Sequence, residues 1–98
     1  AEPPVGPVNH LSAAVPNPFN PSTTIRYSIE RMGHAELTVY DVAGRKVRTL
    51  INGFVTEGDH EVTWNGQDDR GMPAASGVYF YRLAFADRVL TKQLTLAR

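Results

Sequence analysis

The polar loop NGQDDRG at residues 65–71 holds the side chains of this sequence that are most suited to binding a cation. Carboxylate and amide oxygens are the ligands that Ca²⁺ takes in proteins. The candidate ligands are Asn65, Gln67, Asp68 and Asp69. However, an EF-hand register puts Arg70 at the glycine position, and no glutamate stands where the bidentate ligand belongs. Calcium binding is therefore the weaker interpretation, and the stronger is a turn whose Asp side chains bond nearby backbone N–H groups.

Other residue types used in catalysis are present but are not spaced for it. Asp68 and Asp69 are adjacent, whereas glycosidase carboxylates need roughly 5–10 Å of separation across a cleft. The histidines, His10, His34 and His60, have neither HxH nor HExxH spacing. Ser76 lies in AASGV rather than in a nucleophile elbow. We therefore predict that the protein is not an enzyme and has no metal or other cofactor.

Composition narrows the classes of partner. The chain has 98 residues, enough for one domain, and its ten basic and ten acidic residues give a net charge of zero. Nucleic-acid binding, which needs clustered excess Lys and Arg, is not indicated. The absence of cysteine excludes disulfides and thiolate zinc sites. No apolar run is long enough for a transmembrane helix. Because the chain begins at Ala1 without a methionine, we expect a piece of a longer protein.

Alternating apolar and polar residues predict the strands. TTIRYSIE puts Ile25, Tyr27 and Ile29 on one face, and a period of two is typical of a half-buried strand. HAELTVYD and HEVTW repeat the pattern, and further strands are predicted at residues 45–51, 78–86 and 89–97. ERMGH between the first two is interpreted as a hairpin connection, NGFVTEGDH as a loop, and DR at residues 87–88 as a tight turn. No helical periodicity persists.

This spacing of short strands predicts an all-β fold, an immunoglobulin-like antiparallel β-sandwich of about seven strands. GVYFY has the pattern with which strand F of such a domain begins. Tyr79 is then a tyrosine corner whose hydroxyl bonds upstream backbone, and Tyr81 takes the position that a cysteine usually occupies. Trp64 is the predicted core anchor.

Exposed aromatic residues raise the question of sugar binding. Alternation places Tyr40 and Phe80 on the face opposite the core. Two rings on one sheet face form a possible glycan contact, while scattered surface aromatics are the commoner explanation. A carbohydrate-binding module of a polysaccharide-degrading enzyme is kept as an alternative function.

Two segments frame the domain. Residues 1–10, AEPPVGPVNH, have the composition of a Pro-rich linker, and the domain is predicted at residues 11–98. The stretch VPNPFNP at residues 15–21 predicts turns, because Asn-Pro pairs favour turn initiation.

In the last strand Lys92 shares a face with Leu90, Leu94 and Leu96. An inward-pointing lysine protects an edge strand from aggregation; the alternative is that a partner reads TKQLTLAR.

Four motifs carry a resemblance over residues 13–98. VPNPFNPSTTIRYSI, LTVYDVAGRKVRTL, WNGQDDRGMPAASGVYFYRL and the terminal KQLTLAR resemble the C-terminal sorting domains of type IX (Por) secretion. The segment from Val39 to Leu83 also resembles the immunoglobulin-like domain of the flagellar hook-capping protein. One departure is that many sorting domains end in a basic pair, whereas this chain has only Lys92 and Arg98.

The resemblance implies a non-catalytic module for secretion and cell-surface attachment. Such domains end large exported enzymes, often multidomain hydrolases, of Bacteroidetes-like Gram-negative bacteria. Their implied partners are the upstream catalytic domain, the outer-membrane translocon, a sortase-like peptidase and surface lipopolysaccharide, and the implied location is the outer surface or the medium. The residues that the resemblance assigns to partner recognition are Gly77, Tyr79, Lys92, Gln93, Leu94 and Arg98. A structural hook-cap-like scaffold domain is the other alternative.

Overall fold

The alternating segments form seven β-strands in the computed structural model, which describes residues 10–98. The strands are β1 (His10–Leu11), β2 (Thr23–Ile29), β3 (Gly33–Asp41), β4 (Lys46–Val55), β5 (Gly58–Trp64), β6 (Gly77–Phe85) and β7 (Arg88–Leu96). These residues include no helix, and therefore none that is long and apolar enough to cross a membrane. The predicted linker at residues 1–10 lies outside the described residues apart from His10, which belongs to β1.

Two antiparallel sheets pack face to face. The first sheet has the order β1-β2-β5 and the second has the order β4-β3-β6-β7. Ile25 on β2 lies opposite Val62 on β5, and Val39 on β3 lies opposite Tyr81 on β6. This arrangement confirms the predicted immunoglobulin-like sandwich.

The residues that alternation placed inward form a single core between the sheets. Trp64, Tyr81, Ile25 and Leu37 are fully buried. The predicted tyrosine corner is confirmed, because the hydroxyl of Tyr79 donates a hydrogen bond to the carbonyl of Ala75, 2.5 Å away. The hydroxyl of Tyr81 donates to the carbonyl of Ser12 at 2.7 Å, which ties β6 to the segment after β1.

One predicted connection was wrong, and another is shorter than predicted, because only residues 56–57 separate β4 from β5. ERMGH is not a hairpin, because β2 belongs to the first sheet and β3 to the second, so this segment crosses between the sheets. Residues 52–55 of the predicted loop belong to β4, where Phe54 pairs with His34. Asn52-Gly53 reads locally as a turn signal, but pairing with β3 keeps it extended.

The turn between β6 and β7 lies one residue earlier than predicted. It is formed by Ala86 and Asp87, and Ala86 adopts a φ of 55°. Arg88, which was assigned to the turn, pairs with Phe85 as the first residue of β7. Strand pairing up to Phe85 therefore decides where the chain reverses.

Two buried threonines differ in how their hydroxyls are satisfied. Thr23 is 2% exposed, and its Oγ1 donates to the carbonyl of Pro16 at 2.7 Å. Thr38, on β3, is 1% exposed, and within residues 10–98 its Oγ1 has no hydrogen-bond partner. A buried hydroxyl without a partner costs free energy, whereas a bonded one contributes to stability.

We expect Thr38→Val to raise the free energy of unfolding by about 1 kcal/mol, because valine keeps the shape and removes the unpaired hydroxyl. The matched control Thr23→Val should lower it by about 1 kcal/mol, since the Pro16 carbonyl loses its donor. Urea denaturation of the two variants measures both values. Equal destabilisation by the two substitutions would contradict this account.

Candidate functional site

Three of the motifs noted in the sequence meet at one end of the sandwich. We call this region the motif junction and define it as residues 16–21, 65–76 and 95–98. The first segment lies between β1 and β2, the second is the loop between β5 and β6, and the third closes the chain. Hydrogen bonds join each segment to at least one of the others.

Phe19 connects the first segment to the end of β7. Its N–H donates to the carbonyl of Thr95 and its carbonyl accepts from the N–H of Ala97, both at 3.0 Å. These bonds form a parallel bridge between Phe19 and Leu96. The side-chain oxygen of Asn17 accepts from the N–H of Thr95 at 2.9 Å. Phe19 therefore acts as a one-residue strand on the edge of the second sheet.

The ring of Phe19 also enters the core. Its centroid lies 5.4 Å from that of Trp64, and the Trp64 ring meets Tyr79 edge-on at 5.3 Å. The indole N–H of Trp64 donates to the carbonyl of Gln67 at 2.9 Å, inside the loop between β5 and β6. Aromatic packing thus supports the same junction that the backbone bonds hold together.

Arg98 fastens the end of the chain to that loop. Its guanidinium donates to the carbonyls of Gly66 and Ala74, each at 2.8 Å. Its backbone N–H donates to the hydroxyl of Ser76 at 3.0 Å. Sequence reasoning treated Arg98 as part of a basic terminal signal and did not foresee this clamp. Arg98 donates to backbone carbonyls, which every residue has, so no pattern of residue types could have indicated this contact.

The candidate calcium ligands are directed at the loop's own backbone and at β4. Oδ1 of Asp68 accepts from the N–H groups of Arg70 and Met72, each at 2.9 Å. Oδ1 of Asp69 accepts from the N–H of Thr49 at 3.0 Å, and Oδ1 of Asn65 accepts from Gln67 N–H at 3.1 Å. The amide of Asn65 also donates to the side-chain oxygen of Gln67, 3.3 Å away. Within residues 10–98 no group of three or more His, Cys, Asp or Glu is placed to hold a metal.

These bonds alter the acidity of the loop. The N–H of Met72, and less strongly that of Arg70, holds the pKa of the Asp68 carboxyl below its usual range. Because this pKa is lowered in the folded state, the cap stabilises the loop above the ordinary Asp pKa and is lost as the pH falls through the lowered value. Burial raises the pKa of the Tyr79 hydroxyl, so Tyr79 remains a hydrogen-bond donor at neutral pH.

The residues assigned to partner recognition differ in exposure. Five of the six lie on the paired strands β6 and β7, and Arg98 follows β7. Tyr79 and Leu94 are buried in the core, at 7% and 0% exposure, so they offer a partner little surface. Their role in recognition stays a prediction, and it would act through the fold. The residues of this set whose side chains are exposed are Lys92, Gln93 and Arg98.

Tyr40 and Phe80 are direct neighbours across β3 and β6 on the outer face of the second sheet. Both are half-buried. The guanidinium of Arg82 lies 5.0 Å from the centre of the Tyr40 ring and donates to its hydroxyl at 2.9 Å. Arg82 therefore occupies a ring face that sugar stacking would need. Glycan contact at this pair stays a prediction.

Comparisons with known proteins agree with this architecture. The sequence model of the FlgD Ig-like domain family matches residues 22–87. No curated protein matches the chain. Dimeric latent PorU from Porphyromonas gingivalis contains a similar fold, with a TM-score of 0.72 and 18% identity over 98% of this chain and 10% of that chain.

PorZ, an essential bacterial surface component of the type-IX secretion system of human oral-microbiomic Porphyromonas gingivalis, gives a TM-score of 0.58 and 17% identity. That match covers 92% of this chain and 11% of PorZ. The chain thus spans about a tenth of the length of both proteins. At this level of identity the two likenesses concern the fold.

The close packing of the motif junction can be tested at Gly66. Gly66 and Gly71 have similar positive φ angles, 78° and 84°. A Cβ on Gly66 would lie 2.9 Å from both the Pro21 carbonyl oxygen and the Arg98 guanidinium, whereas one on Gly71 meets nothing within 4 Å. Gly71→Ala should cost about 1–2 kcal/mol of backbone strain. Gly66→Ala should cost at least about 1 kcal/mol more, because the junction must also move apart.

Urea denaturation of the two glycine variants gives the comparison, with Gly71→Ala as the control for φ alone. Equal free energies of unfolding would show that the three segments are not packed together around Gly66.

Proposed function

The chain belongs to the FlgD Ig-like domain family, and we propose that it is a non-catalytic module that directs a larger extracellular enzyme across the outer membrane and attaches it to the cell surface. The proposed partners are the secretion translocon, a sortase-like peptidase, the upstream catalytic domain and surface lipopolysaccharide. The proposed location is the outer surface of a Gram-negative bacterium, or the medium around it.

The motif junction is the observation that carries this proposal. Three of the four motifs that resemble type IX sorting domains lie far apart in the sequence, yet Phe19, Gly66 and Arg98 join them at one end of the sandwich. A partner can therefore recognise them together, as one folded shape. The shared fold with segments of PorU and PorZ supports the same assignment, since PorZ is itself a component of a type IX system.

A structural scaffold is the second candidate function, and family membership favours it. FlgD Ig-like domains share the sandwich, and the match covers β3 and β6 at its centre. The two functions differ in what they require of the chain's end. A sorting module must present its terminus to the secretion machinery, whereas a scaffold domain tolerates further domains on either side.

The export role predicts that the 98-residue chain, fused behind a periplasmic reporter with its own signal peptide, carries the reporter to the outer surface of a type IX-competent host. Protease accessibility of the reporter in intact cells measures this. A host without the translocon is the control, and there the reporter should stay protected. Protection in both hosts would remove the sorting assignment.

A second fusion tests whether the module must end the chain. Placing a small folded domain after Arg98 should abolish export if the secretion machinery requires a free end. Thermal unfolding of the purified fusion shows whether the clamp formed by Arg98 has survived. Unchanged export of a correctly folded fusion would show that a free end is not required, whereas the scaffold role predicts that neither fusion is exported.

A further inference from the structure

The outward edge of β7 is paired along only part of its length. In an antiparallel strand the N–H and C=O of one residue point to the same side, and the side alternates along the chain. Thr95 directs both groups away from β6, toward Phe19 and Asn17. By alternation Gln93, Thr91 and Val89 direct theirs outward as well. Within residues 10–98 none of these three has a hydrogen-bond partner on that side.

Within residues 10–98 the segment before β2 covers no more of this edge. Phe19 extends the ladder by a single bridge. The next residue to face β7 is Asn17, two positions earlier, and it does not pair through its backbone. A side-chain oxygen from Asn17 replaces the next backbone acceptor, and the chain then returns toward the first sheet, where Val15 bridges Thr24.

The opposite edge of the same sheet is occupied at the corresponding end. Asp69 donates its N–H to the carbonyl of Val47 at 2.9 Å and accepts the N–H of Thr49 on its carboxylate. A loop residue thus covers β4 much as Phe19 covers the end of β7. Within residues 10–98 the ladder groups from Val89 to Gln93 have no such cover.

The outer edge of β5 is also unpaired. Its charged side chains Asp59 and Glu61 already bond Ser28 and Arg26, whereas Lys92 has no such partner in the described part of the chain.

A shallow groove of about 240 Å³ lies beside this open stretch. Its lining residues are His10, Leu11, Leu90, Thr91 and Lys92. Leu90 is half-buried, whereas Lys92 is exposed and makes no ion pair within the described part of the chain. A strand added to β7 would turn every second side chain toward this groove. The groove therefore favours an added strand that places an apolar residue beside Leu90 and, two positions further along, a carboxylate beside Lys92.

We propose that the open edge of β7, residues 89–93, is a docking site for an extended segment of a partner protein that places a carboxylate next to Lys92. Pairing would add a strand to the second sheet, a known way of binding extended peptides. A second copy of this chain is a poor occupant. Antiparallel self-pairing centred on Thr91 would place the two Lys92 side chains on a diagonal across the new strand pair and on the same face, where like charges repel.

The proposed docking site rests on the proposed function only for the biological identity of the partner that supplies the acidic strand. Binding can be measured in vitro on the 98-residue chain, so it can fail while the export fusion succeeds, and the reverse. The two failures are therefore distinguishable.

The test uses two acetylated and amidated heptapeptides, Thr-Val-Thr-Glu-Thr-Val-Thr and its variant with Lys in place of Glu. An NMR titration of the ¹⁵N-labelled chain should shift the amides of Val89, Thr91 and Gln93. The Glu peptide should bind roughly three- to tenfold more tightly than the Lys peptide, since one contact attracts and the other repels. Raising the salt concentration should narrow this ratio.

Three substitutions decide the outcome. Lys92→Glu should reverse the preference between the peptides, while Lys46→Glu, the same charge change on β4 at the other edge, should leave it unchanged. Thr91→Pro should weaken binding of the Glu peptide, because its outward N–H is lost; unfolding temperature verifies that this variant is folded. Amide shifts elsewhere on the chain, or a preference unaltered by Lys92→Glu, would overturn the proposal.

Discussion

The structure depends on how one residue closes the gap between the two sheets. Phe19 pairs its backbone with the edge of β7 and packs its ring against Trp64. The first contact joins the segment after β1 to the second sheet, and the second fixes this segment over the core. A sheet edge without partners and an open core are both unfavourable. Phe19 relieves both at the same end of the sandwich.

The end of the chain is consequently part of the fold. Leu94 and Leu96 are buried, and Arg98 holds the loop between β5 and β6. For the export role proposed above, a partner would meet Lys92, Gln93 and Arg98 in this arrangement only when the sandwich is complete. An unfolded chain would lack both that arrangement and the clamp formed by Arg98. The proposed recognition would therefore select folded molecules.

The strands and the core could be predicted from the sequence because the alternation of apolar and polar residues indicates, position by position, which side chains are buried. Tyr79 and Trp64 were recognisable for the same reason, since each sits in a strand whose neighbours show which face is inward. The hairpin assigned to ERMGH failed because a short polar connection has the same composition whether it joins paired strands or crosses between sheets. Likewise Asn52-Gly53 carries a turn signal that only pairing with β3 overrides.

The site was harder to predict, because its specific contacts are made to backbone groups. Arg98 donates to backbone carbonyls, and the side chain of Asn17 accepts from a backbone N–H. The outward groups of Thr91 that the proposed docking uses are its backbone N–H and C=O, which do not depend on the type of side chain. The sequence predicts Lys92 as an inward-pointing lysine on an edge strand, and the proposed docking site gives that lysine a second role. An edge closed along its whole length would offer nothing to a partner, and an open apolar edge would aggregate. In the proposed docking Lys92 repels a second copy and attracts a carboxylate, so that one side chain would keep the edge open and still discriminate between partners.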